Sequence, residues 1–164
     1  NSNLAFMPSI GLKDNEAALN AVNDVEGLFD YVLADKIAEK ACGRAMIVTE
    51  PFTASVKSAD ACRSHLADNG MNEIYLVVNK LCAAQILNGE VMTANEISVL
   101  LHTPLAAVIP EDLTIPCGDM KRSTVKAFKI AAEALTGRRR GVLNVLRGFG
   151  GINGYFKRKM REKL

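Results

Sequence analysis

Aromatic side chains are scarce in this sequence, 5% of 164 residues with no tryptophan, so a core must be packed by aliphatic groups. Hydrophobic residues still make up 49% and charged ones 23%, the balance of one ordinary α/β-sized domain. A domain near this length hides roughly 70% of the surface of its unfolded chain. No apolar run approaches the ~20 residues that a membrane-crossing helix needs. No basic leader followed by an apolar stretch opens the chain, so no secretory signal is visible. Beginning at Asn1 without Met, the chain reads as a fragment or a processed product. The four cysteines, Cys42, Cys62, Cys82 and Cys117, form no Cys-x-x-Cys, and His65 and His102 are equally isolated. That spacing offers neither a zinc site nor a disulfide framework; reduced, mostly buried thiols of a cytosolic protein are the expectation. Neither histidine has a nearby Ser or Cys to serve as a catalytic base. No Gly-x-x-x-x-Gly-Lys-Ser/Thr occurs anywhere, which removes the backbone nest and lysine that cradle phosphates in P-loop proteins.

Charge is unevenly spread. Residues 1–137 hold 11 Lys/Arg and 17 Asp/Glu, net −6, whereas residues 138–164 hold 9 Lys/Arg and one Glu, net +8, which together make the overall +2. A mildly acidic body over 1–137 therefore carries a basic tail over 138–164, and the asymmetry points to an anionic surface as partner.

Along the body, apolar strand-like runs alternate with helical patterns. Asn3–Met7 reads as a short strand, Asp14 as the N-cap of a helix to Glu26, and Phe29–Ala34 and Ala45–Val48 as buried strands. Ser55 to Ala67 can line one helix face with Val56, Ala59, Ala61, Cys62 and Leu66. Thr93 opens a helix over Ala94–Leu101 with Glu96 as its capping-box partner. Met120 to Leu135 repeats apolar positions at Val125, Phe128, Ala131, Ala132 and Leu135 and closes at Gly137. Between Glu73 and Asp112, two strand runs, Ile74–Val78 and Leu105–Ile109, flank a helical pattern. Each ends in a polar cluster, Asn79-Lys80 and Pro110-Glu111-Asp112. This is the βαβ rhythm of a mostly parallel sheet flanked by helices. Ligands of open α/β sheets sit at such carboxyl ends.

Three pieces of this stretch, Val78-Asn79-Lys80, Asn88 to Ile97 and Pro104 to Asp112, resemble in order and spacing the second half of the MinD/ParA family of deviant-Walker ATPases. The resemblance implies an incomplete P-loop NTPase-like α/β fold and a role in placing the bacterial division septum, with ATP and Mg²⁺ as cofactors. It makes Asn79, Lys80, Pro110, Glu111 and Asp112 adenine contacts; the other reading of these residues is ordinary turn formation. Phe29 to Asp35 resembles the family's Walker B strand, which implies Asp35 as a magnesium ligand, or otherwise as an N-cap for Lys36–Cys42. Ile47 to Pro51 and Ser55 to Asp60 resemble the strand and helix start that follow. Two departures stand out. The phosphate loop is absent, and the ten-residue step from Asp35 to Ala45 is too short for the family's Pro-Ala-Gly switch and its helix. Both departures leave hydrolysis by this chain open.

In the tail, Val142, Val145, Leu146, Phe149, Ile152, Phe156 and Met160 recur at three- and four-residue steps, and Lys157, Arg158 and Lys159 add charge. That suits an interfacial helix on anionic lipid, with Leu146, Phe149, Ile152, Phe156, Lys157, Arg158 and Lys159 as membrane contacts. Gly148, Gly150, Gly151 and Gly154 weaken a free helix by about 1 kcal/mol each, so order would come from binding. A nucleic-acid arm built on Arg138-Arg139-Arg140 and a solvated terminus are the competing readings, nucleic acid being the less favoured partner. The family resemblance further implies a peripheral site on the inner membrane, homodimerisation and regulators of the MinC and MinE kind. A non-catalytic adaptor module, or another ParA relative setting flagellar number or partitioning DNA, is the alternative.

Overall fold

The computed structural model describes residues 15–34, 43–138 and 141–146. The expected strand Asn3–Met7, the Asp14 cap, Asp35 and the tail from Arg147 onward lie outside them.

Helix α1 spans Asn15–Glu26, followed by β1 (Ala45–Thr49), α2 (Thr53–Asp68), β2 (Ile74–Leu81), α3 (Ala83–Asn88), α4 (Ala94–Leu100), β3 (Leu105–Pro110), a 3₁₀ turn at Ile115–Cys117, and α5 (Arg122–Leu135). The strands form a parallel sheet in the order β1-β2-β3. Side-chain alternation along the strands divides the core in two. Ile47, Leu76, Val78 and Val108 pack under α2, α3 and α4 through Val56, Ile86, Ile97 and Leu101. On the other face Val77, Ala107 and Ile109 meet Ala127 and Ile130 of α5. That second face stays open over β1: Val48 is 60% exposed between the buried Ile47 and Thr49.

Local chemistry accounts for the element ends. Thr93 and Glu96 form the reciprocal capping box of α4, the Glu96 N–H donating to Thr93 Oγ1 at 3.2 Å and the Thr93 N–H to Glu96 Oε2 at 2.5 Å. Helix α5 ends where Gly137 turns to φ +80°, with the Arg138 N–H donating to the Glu133 carbonyl, the wrap that glycine makes without a Cβ clash.

Four expectations are corrected. Phe29–Ala34 is not a strand: it joins no ladder, and Tyr31 and Leu33 are 62% and 78% exposed. An apolar run becomes a strand only where a neighbour supplies its ladder, and β1 pairs only with β2 among the described residues. On α2 the buried stripe is Val56, Ala59 and Leu66, so Ala61 and Cys62 point to solvent. On α5 the buried residues are Thr124, Ala127 and Ile130, and Val125 and Phe128 are 37% and 45% exposed. The small Ala127 lets the helix approach the sheet, so close packing prevails over side-chain bulk. Cys62 and Cys117 are exposed and Cys82 is half-buried, because an outer helix face and a surface turn carry the first two.

His102, just past α4, holds φ +47°, a left-handed conformation that strains a residue with a Cβ. His102→Gly is expected to leave the thermal midpoint unchanged or raise it by one or two degrees, relief of strain offsetting glycine's extra chain entropy of about 0.5–1 kcal/mol; differential scanning calorimetry reads this directly.

Candidate functional site at the carboxyl ends of the strands

Parallel pairing places the carboxyl ends of all three strands together, and each carries polar residues there: Glu50 after β1, Asn79-Lys80 just before Leu81 closes β2, and Glu111-Asp112 after β3. Between the pairs Val78↔Val108 and Leu81↔Pro110, β2 advances three residues while β3 advances two. The extra residue is a β-bulge. It is accommodated by Lys80 at φ +53°, a conformation that costs a non-glycine residue on the order of 1–3 kcal/mol and clusters at functional sites.

The bulge lifts Asn79 and Lys80 out of the ladder. The Asn79 Oδ1 accepts the Lys80 backbone N–H at 3.0 Å, which orients the amide so that its Nδ2 is left as a donor. Lys80 Nζ lies 2.6 Å from Glu50 Oε1; this hydrogen bond first, then the charge of Glu50, holds the ammonium above its ordinary pKa. Glu50 was not among the residues singled out in the sequence. Its signal was the same as that of its neighbours, a polar residue directly after a buried strand. In the turn after β3, the Glu111 N–H donates to the Leu81 carbonyl at 3.1 Å, and Pro110 has no N–H to offer. Pro110 is therefore the ladder partner of Leu81, two residues from Asn79. These residues sit side by side at one end of the sheet.

Asp112 is placed differently from its sequence neighbours. Only 7% exposed, its carboxylate accepts four hydrogen bonds: from Thr114 N–H (3.1 Å) and Thr114 Oγ1 (2.6 Å) on Oδ1, and from Lys121 N–H (3.0 Å) and Thr124 Oγ1 (2.6 Å) on Oδ2. The Thr114 and Thr124 hydroxyls, followed by the Lys121 amide, hold its pKa far below the usual carboxylate range. The side chain ties the loop after β3 to the start of α5, and its acceptor capacity is filled from within.

Leu146, grouped by sequence with the tail, is half-buried against the first core cluster together with Val145, and Leu143 lies against the second. The segment 141–146 thus returns to the body before the basic tail continues. Asp35, Phe149, Ile152, Phe156, Lys157, Arg158 and Lys159 lie outside the described residues. No group of three His, Cys, Asp or Glu side chains able to hold a metal occurs among the described residues, nor is any described helix long and apolar enough to cross a membrane.

No protein-family model matches the sequence. Among individual proteins, the chain is 29% identical over 124 residues to a putative septum site-determining protein MinD of Guillardia theta, covering 67% of this chain and 46% of the relative. It is 30% identical over 129 residues to the corresponding protein of Oltmannsiellopsis viridis, covering 67% and 41%. The chain thus spans about half the length of the curated relatives it matches. In three dimensions it superposes on a chain of a MinC:MinD cell division protein complex of Aquifex aeolicus with a TM-score of 0.73 at 21% identity, covering 80% of this chain and 62% of that one; at that identity the likeness speaks for the fold. Sequence over two-thirds of the chain and fold over four-fifths agree: this chain is MinD-like, similar to the C-terminal portion of the septum site-determining proteins of the MinD/ParA family of deviant-Walker ATPases.

Proposed function

We propose that this chain forms the base-recognising half of a MinD-like ATPase that takes part in placing the bacterial division site. The observation that carries the reading is the juxtaposition at the strand ends. Asn79 presents an amide donor from a strained bulge, and the backbone of Pro110 and Glu111 offers carbonyl acceptors on the adjacent strand. Adenine displays a ring-nitrogen acceptor beside an exocyclic amino donor, the complement of that pair. Lys80, held toward Glu50, closes the edge. Asp112 supports this turn from beneath through its internal bonds. Asp35 remains the residue proposed for magnesium.

The chain's own residues fit the base and not the phosphates: nothing in the 164 residues supplies a phosphate-cradling glycine loop, so no hydrolytic step is assigned to them. In a protein that supplies that loop, ATP-dependent dimerisation would pair two basic tails on an anionic inner membrane surface, and two weak anchors bind far more tightly than one. Regulators resembling MinC, the partner in the Aquifex complex, and MinE are the proposed protein partners.

Titrating the ¹⁵N-labelled chain with ATP and Mg²⁺ tests the reading. Weak, millimolar binding is expected, with amide shifts concentrated at Asn79, Lys80, Glu111 and their neighbours. Shifts absent from that edge would remove the base-site assignment. Micromolar affinity with phosphate release would instead overturn the view that phosphate recognition lies outside this chain.

A further inference from the structure

A second polar concavity lies at the opposite, amino-terminal end of the sheet. It is a cleft of about 370 Å³ bounded by α2, the start of β2 and the residues leading into β3. Arg63 lines it from α2. Its position in the sequence is informative: Val56, Ala59 and Leu66 form the buried stripe of that helix, and Arg63 continues the same stripe at a three- and four-residue step. An arginine on a core-facing stripe lays its stem along apolar surface and keeps its charged head toward solvent or a partner, and among the described residues the Arg63 side chain makes no ion pair or hydrogen bond.

His102 also lines the cleft, the residue held at φ +47° where glycine would sit without strain. A strained residue kept where a simpler one would fit is grounds for a functional hypothesis. The acidic group at the rim, Glu73, is already engaged by Arg44, whose Nη1 also donates to the Leu135 carbonyl at 3.1 Å, so it leaves the cationic side chain of Arg63 unneutralised. Met71 and Pro104 add apolar surface to the lining. An arginine with five donors and an imidazole above apolar surface match an anion attached to a hydrophobic body.

We propose that this cleft binds a small organic anion, a carboxylate or phosphate monoester, through Arg63 and His102, with its apolar part over Met71 and Pro104. The site is separate from the base-recognising edge and stands or falls independently of it.

The test is an NMR titration of the ¹⁵N-labelled 164-residue chain with phenyl phosphate, benzoate, inorganic phosphate and, as a neutral control, benzyl alcohol. Phenyl phosphate or benzoate is expected to shift the amides of Arg63, Asn72, Tyr75 and His102, with inorganic phosphate weaker because it lacks the apolar body. Whichever organic anion binds more tightly identifies the headgroup. Arg63→Gln should weaken binding at least ~10-fold, the loss expected for one charge-assisted hydrogen bond. His102→Gly should weaken it as well without lowering the thermal midpoint, and it decides the matter should Arg63→Gln fail to fold. Unaltered affinity in the folded variants, equal binding of benzyl alcohol, or shifts confined to Asn79–Lys80 and Pro110–Asp112 would each overturn the proposal.

Discussion

Asp112→Asn is expected to lower the thermal midpoint by several degrees at neutral pH and to flatten the acid limb of the stability curve. The native carboxylate accepts four hydrogen bonds from the Thr114 and Lys121 amides and the Thr114 and Thr124 hydroxyls. An amide in its place keeps one oxygen but turns an N–H₂ toward donors. The fully buried Thr124 and the Lys121 N–H then compete for a lost acceptor, and an unsatisfied buried donor costs about 1–3 kcal/mol. The sign of the pH effect follows from the depressed pKa of Asp112. A carboxyl bound more strongly as the anion stabilises the fold above its unfolded pKa of about 3.9, and that contribution is lost as pH falls from about 5 through the carboxylate range toward the lower folded value. Wild type should therefore lose stability between about pH 5 and pH 2 more steeply than Asp112→Asn. Parallel curves for the two proteins, in urea unfolding at a series of pH values, would show that the carboxylate is not what joins this loop to α5. Thr124→Val, which removes a single donor, should fall between them at neutral pH.

Phe149→Asp with Phe156→Asp is expected to abolish co-sedimentation of the chain with anionic vesicles while leaving the melting of the body unchanged. The net +8 charge of residues 138–164 is expected to draw the tail to an anionic surface, at about 1 kcal/mol per basic residue near it. Each aromatic ring, if fully inserted, adds about 1.5–3 kcal/mol, against roughly 1 kcal/mol for every glycine held in a helix. Leu146 already rests on the core, so Phe149, Ile152 and Phe156 are the residues expected to insert. Neutral vesicles should bind poorly, and circular dichroism should show helix gained only with anionic lipid. If the double variant sediments as wild type does, the tail is a polybasic strap with no inserted face. Preference for DNA over lipid at physiological salt would favour a partition-type ParA relative.

The parts of this fold that could be read in advance are those fixed by neighbours along the chain. The end of β3 at Pro110 followed from a short apolar run that stops at a turn former, whereas β2 runs past Val78 through Asn79 and Lys80 to Leu81, because the pairing of Leu81 with Pro110 extends the ladder beyond the apolar run. The α4 capping box needs only Thr93 and Glu96 three residues apart, and the end of α5 needs only a glycine free to adopt φ +80° at Gly137. Each is decided within one turn of backbone. Phe29–Ala34 shows the limit of that reasoning. Its composition suits a strand, but a strand exists only in a ladder, and its described residues join none. The buried faces of α2 and α5 differ from their apolar periodicity for a related reason: periodicity locates a stripe to within a residue or so, and the sheet beneath selects which side is buried.

Sequence alone determined the parallel α/β character, the charge asymmetry between residues 1–137 and 138–164, and the MinD-like resemblance, because periodicity, turn chemistry and charge are properties of adjacent residues. Only the tertiary structure decided that Asn79 and Lys80 leave the ladder through a bulge, that Lys80 meets Glu50, that Asp112 holds α5 to the loop after β3, and that Arg63 and His102 share a cleft at the far end of the sheet. Each of these depends on groups brought together across the sheet from segments distant in the chain. Strand register and helix docking set those distances, and neither is encoded by any single local pattern.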